Sequence, residues 1–95
     1  MKKLTIMYDI VDTNRRNRLV KILEEFGERV QYSVFEFILT KAQHVHLMQR
    51  LKKGGFMEEH ETDKVRVYYF DKEDHSKIRN YGKDITKDKE ELFYV

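Results

Sequence analysis

The sequence predicts an α+β sandwich in which two helices cover one face of an antiparallel sheet. Three observations point there. Residues 3–11, 29–39 and 64–70 are rich in β-branched and aromatic types and alternate with period two. Two stretches at helical spacing lie between them. No repeat, low-complexity tract or linker interrupts the 95 residues, which fit one small domain spanning 1–95 with a tail of short strands at 71–95.

The elements follow in order. In "KLTIMYDIV", 3–11, Leu4, Ile6, Tyr8 and Ile10 share one face, and Thr5, Met7, Asp9 and Val11 the other. Both faces are largely apolar, which predicts a central strand. Asp12 or Thr13 caps a helix from about 13 to 26. Leu19, Ile22, Leu23 and Phe26 form its stripe, widened by Val20, and Gly27 is expected as a left-handed stop. "RVQYSVFEFIL", 29–39, is long for one strand and has no Gly, Pro or Asn to mark a turn; it is one strand or a pair bent near Ser33.

Thr40 and Gln43 match a capping box. Ala42, Val45, Met48 and Leu51 read as the stripe of the second helix, which Gly54 and Gly55 end. In "KVRVYYF", 64–70, Val65, Val67 and Tyr69 alternate with Arg66, Tyr68 and Phe70. A short strand is expected around "KIRNY". The apolar end "LFYV" suggests a strand added to this sheet or a neighbour's. The economical assembly is a ferredoxin-like βαββαβ sandwich, its C-terminal strand extending a dimer sheet.

Bulk composition excludes several classes. There is no Cys, so no disulfide framework or thiolate chemistry, which favours an intracellular, cytoplasmic protein. There is no signal-peptide pattern, and no apolar run such as "VYYF" exceeds four residues, so no membrane span is expected. Net charge is only +2, but residues 13–23 and 40–57 carry cations and no acid. Such patches suit a polyanion, or form a solvated helix face.

Asp9 stands out as a carboxylate in an apolar strand, where an unpaired charge is costly. It caps a loop, pairs with a cation or holds a metal. Mg²⁺ takes one or two carboxylates plus waters and phosphate oxygens, so one Asp9 makes a poor site. Two, brought together at a two-fold axis, make a plausible one. Arg15, Arg16 and Arg18 oppose the dipole of the first helix but lie where its free N–H groups receive anions. They fan about 100° apart per residue, so they do not all face one ligand. Phe26, Phe35, Phe37, Tyr69 and Phe70 read as core, and Tyr8 as a polar-tipped core residue or a substrate contact. His44 and His46 point to different sides of a helix and do not share a metal.

"YDIVDTNRRNRLVKILEEFGERVQYSVFE", 8–36, closely resembles the small CRISPR-associated adaptation proteins of the Cas-two family. The resemblance rests on "MYDI", "RRNRL" and "ERVQYSVFE". It implies a ferredoxin-like fold and a tight homodimer. It also implies a CRISPR adaptation protein (spacer acquisition) that works beside the adaptation integrase subunit, and a Mg²⁺-dependent endonuclease on single-stranded RNA or double-stranded DNA. By position, Asp9 would be the metal ligand and, with Tyr8, catalytic. Arg15, from the residue reading, and Arg16, Arg18, Arg29 and Phe35, from the resemblance, would contact substrate. A non-catalytic DNA-binding scaffold and an RNA-cleaving toxin of related fold are the alternatives.

Overall fold

The computed structural model describes residues 1–58 and 60–70, and the backbone of 78–82. Its elements are β1 (Lys2–Asp9), α1 (Thr13–Glu24), β2 (Glu28–Gln31), β3 (Val34–Leu39), α2 (Lys41–Lys53), β4 (Lys64–Tyr69) and β5 (Ile78–Gly82). The strands form one sheet in the order β2-β3-β1-β4-β5 with every pairing antiparallel. The first four strands and both helices make the ferredoxin-like βαββαβ arrangement. β5, at the expected "KIRNY", extends the sheet beyond β4. The expected strand at 92–95 lies outside the described residues.

Register puts one apolar row under the helices. Leu4 faces Phe37, and Ile6 faces Phe35 on one side and Val67 on the other. With Leu19 and Leu23 of α1 and Leu47 and Leu51 of α2 they form the core. Each fully buried aliphatic or aromatic side chain contributes about 1.5–3 kcal/mol by leaving water. The opposite face carries Thr5, Met7 and Asp9 on β1, Glu36 and Ile38 on β3, and Lys64, Arg66 and Tyr68 on β4. Arg66 and Tyr68 are nevertheless buried.

Asp12 caps α1, its carboxylate accepting from the Arg15 N–H at 2.8 Å. Thr40 and Gln43 close the full capping box of α2. Residues 29–39 are the bent pair: a hairpin whose turn is Tyr32 and Ser33. Its register shifts between Arg29 and Gln31. No residue of the turn has positive φ, so it needs no Gly or Asn, and this is why no turn residue marks it.

Four expectations are corrected. Gly27 is not left-handed; among the described residues only Gly55 has positive φ, at 80°. Gly27 is instead a close-approach site, where a Cβ would run into the Phe37 ring and the Glu36 carbonyl. The buried face of α2 is Leu47 and Leu51, flanked by His44 and Met48, while Ala42 and Val45 are exposed. A pure i, i+3 repeat drifts about 60° per step, so that stripe winds off the core. Phe70, just past β4, is 39% exposed. Asp9, the last residue of β1, is exposed to solvent and not enclosed by apolar side chains.

Candidate active site

Strand alternation sends Asp9 and Tyr8 to opposite faces. The Tyr8 side chain is buried, and its hydroxyl donates to the Tyr32 carbonyl at 3.2 Å and accepts from Arg29 at 3.0 Å. The Tyr8 N–H also donates to the Ser33 carbonyl at 3.1 Å. The hairpin turn is thereby pinned to the end of β1, next to Asp9. The result is a cleft of about 410 Å³. Asp9, Arg16, Lys64, Tyr32 and Ser33 are among the residues that line it.

Asp9 is the acid of this cleft, and Arg16, Lys64 and Arg66 are its cations. Arg16 donates to the Ile10 carbonyl at 3.1 Å and to Thr13 Oγ1 at 3.4 Å. A guanidinium has five N–H groups, so donors remain for an anion. Two helix residues away, Arg18 is exposed and turned to a separate groove beside His60 and Thr62. Its guanidinium lies 5.9 Å from the Phe56 ring centre.

Arg15 is committed internally. Its Nε donates to Asp63 Oδ2 at 2.8 Å and a terminal nitrogen donates to the Gly55 carbonyl at 2.8 Å. Its guanidinium lies 4.6 Å from the centre of the Phe56 ring. Phe35 is 0% exposed and packs against Tyr8 and Phe37, so it supports the cleft from beneath. Arg29 lies over the Phe35 and Tyr32 rings at 5.5 and 5.8 Å. Its hydrogen bond to Tyr8 raises its pKa above the ordinary value.

The seven predicted residues therefore separate. Asp9 and Arg16 share the cleft. Tyr8, Arg29 and Phe35 form the wall behind it. Arg15 and Arg18 serve the other side of α1. Sequence reading missed Tyr32, Ser33 and Lys64. The two turn residues were hidden in a strand-like run, and Lys64 becomes relevant only because its backbone pairs with Asp9.

Among the described residues no three acidic or histidine side chains gather to hold a metal. Asp9 nonetheless suits Mg²⁺ in kind. It is a hard oxygen donor, exposed enough to leave room for the waters that Mg²⁺ retains.

Fold and cleft together define a ferredoxin-like α+β protein in which a strand-end carboxylate and an arginine line one cleft. A family profile described as "CRISPR associated protein Cas2" matches residues 1–78. The chain belongs to the Cas2 family. It is 47% identical over 66 residues to a CRISPR-associated endoribonuclease Cas2 of Thermus thermophilus, covering 70% of this chain and 67% of that one. The chain spans about two thirds of the length of the curated relatives it matches first. The crystal structure of a hypothetical protein, TT1823, from Thermus thermophilus superposes with a TM-score of 0.61 at 33% identity, covering 74% of this chain and 82% of that one. A chain of a partial Cas6-RT-Cas1–Cas2 complex superposes at 0.53 with 28% identity, covering 77% and 82%.

Proposed function

We propose that the chain is a homodimeric, Mg²⁺-dependent endonuclease of CRISPR adaptation, acting in the cytoplasm on single-stranded RNA, duplex DNA or both. The observation that carries this reading is the exposed Asp9 carboxylate sharing a cleft with Arg16, in a family whose curated relatives are named endoribonucleases. Asp9 from each of two protomers would hold the ion. When bound, Mg²⁺ supplies an activated water and stabilises negative charge on the phosphate. The remaining donors of Arg16 receive a phosphate oxygen, helped by the positive end of α1. Lys64 adds local positive charge.

The test is paired cleavage of single-stranded RNA and duplex DNA by wild type and Asp9→Asn, with Mg²⁺ or chelator. The substitution keeps shape and removes charge. Loss of at least about a hundredfold in rate is expected, as for removal of a principal electrostatic group. Equal Mg²⁺-dependent cleavage by both proteins overturns the reading.

A second reading is supported by the likeness to a chain of a Cas1–Cas2 complex. In it the dimer is a DNA-binding scaffold for the adaptation integrase, and catalysis is secondary. Duplex binding then depends steeply on salt and is indifferent to Asp9. Binding that stays constant across salt concentrations would exclude it.

A further inference from the structure

Tyr32 is the most exposed tyrosine or phenylalanine of the described residues, at 76%. Singly exposed apolar residues are ordinary on protein surfaces. Three features set this one apart. It sits at the tip of the β2–β3 turn and lines the same cleft as Asp9 and Arg16. Its backbone is fixed, because its carbonyl accepts the Tyr8 hydroxyl at 3.2 Å. Its ring lies 5.8 Å from the Arg29 guanidinium, which is itself held by Tyr8 at 3.0 Å.

An aromatic ring on a rigid mount, braced by a cation and beside a phosphate-suited arginine, matches what single-stranded nucleic acid needs. Unpaired bases offer a free π-face, whereas bases inside a duplex are already stacked on their neighbours. A base on Tyr32 would bring its own phosphate towards Arg16 and Asp9. We propose that Tyr32 is a stacking platform for an unpaired nucleobase and gives the cleft its preference for single strands. The proposal rests on the nucleic-acid reading above and names the substrate class of that same site.

The test is binding, measured with chelator present so that no metal-dependent cleavage occurs. The probes are a labelled single-stranded oligonucleotide, the duplex of the same sequence, and a single strand carrying 2-aminopurine. Tyr32→Ala should weaken single-strand binding by about fivefold to a hundredfold, the range for loss of one base–aromatic stack. It should leave duplex binding unchanged and remove the quenching of 2-aminopurine that wild type causes. Tyr32→Phe should restore both. The fold should survive, because the exposed ring is lost while the carbonyl that Tyr8 contacts is kept.

Unchanged single-strand affinity in Tyr32→Ala overturns the proposal. So does equal loss on single strand and duplex, or a wild type that binds no single strand. Failure of the nuclease reading is separate. It would show as Mg²⁺-dependent cleavage by Asp9→Asn, which leaves these binding results intact.

Discussion

Asp63 holds the entry of α1 in place. It is 3% exposed, and its two oxygens accept from the Val11 N–H at 3.1 Å and from Arg15 Nε at 2.8 Å. Breaking such a pair leaves a partly buried guanidinium and the Val11 N–H without that carboxylate. Asp63→Ala should therefore destabilise by about 3 kcal/mol. The check is urea unfolding at one fixed protein concentration, since association would shift the midpoint. An unchanged midpoint would show that Arg15 does not depend on Asp63. The partners are 48 residues apart, and nothing local in "EEHETD" distinguishes Asp63 from its acidic neighbours. That is why the arginine cluster was legible in sequence and its division of labour was not. Asp9 was legible because a carboxylate interrupts an apolar alternation. Tyr32 was not, because an aromatic in a β-rich run looks like any other strand residue.

At the scale of elements, local signals were read well where the chemistry is local. The Asp12 cap, the Thr40–Gln43 box and the Leu19–Leu23 stripe all depend on spacings within one or two turns. Gly27 was misread because its requirement comes from β3, nine and ten residues further on. Gly27→Ala should push against the Glu36 carbonyl and the Phe37 ring and cost about 2–3 kcal/mol, as other overpacked sites do. Thermal unfolding checks this, and a cost well under 1 kcal/mol would mean that β3 yields easily. The helices are also linked across the surface. Arg50 donates twice to Glu25, at 3.0 and 2.8 Å. That hydrogen bonding, with a further contribution from the Arg50 charge, lowers the Glu25 pKa below its ordinary 4.5. A depressed folded-state pKa adds stability above the ordinary value and loses it as pH falls through the lower one. Glu25→Gln should thus melt below wild type at about pH 7, and the two should converge as pH falls below the lowered Glu25 pKa. The gap will be small, because both groups are exposed. A gap that persists undiminished in acid would remove the charge from the explanation.

At the scale of the whole molecule, the two sheet faces have different work. One is filled by α1 and α2. The other carries Asp9 at its rim and an exposed Ile38 on β3. One chain brings one carboxylate to the cleft, whereas the proposed metal site takes one from each of two chains. This makes the stoichiometry of activity a direct test. Wild type and Asp9→Asn are mixed, allowed to exchange subunits, and assayed for Mg²⁺-dependent cleavage. If both carboxylates of a dimer are needed, only dimers with two wild-type chains act, and an equal mixture keeps about one quarter of the activity. If each protomer works alone, it keeps about one half. The full curve against wild-type fraction, quadratic or linear, separates the two. A Tyr32→Ala chain mixed with wild type extends the same logic, because a stacking platform serves its own cleft. Single-strand binding per dimer should then fall linearly while metal-dependent cleavage responds to Asp9 as a square. Linear dependence on Asp9 would place a complete metal site within one chain and would remove the reason for two chains to share it.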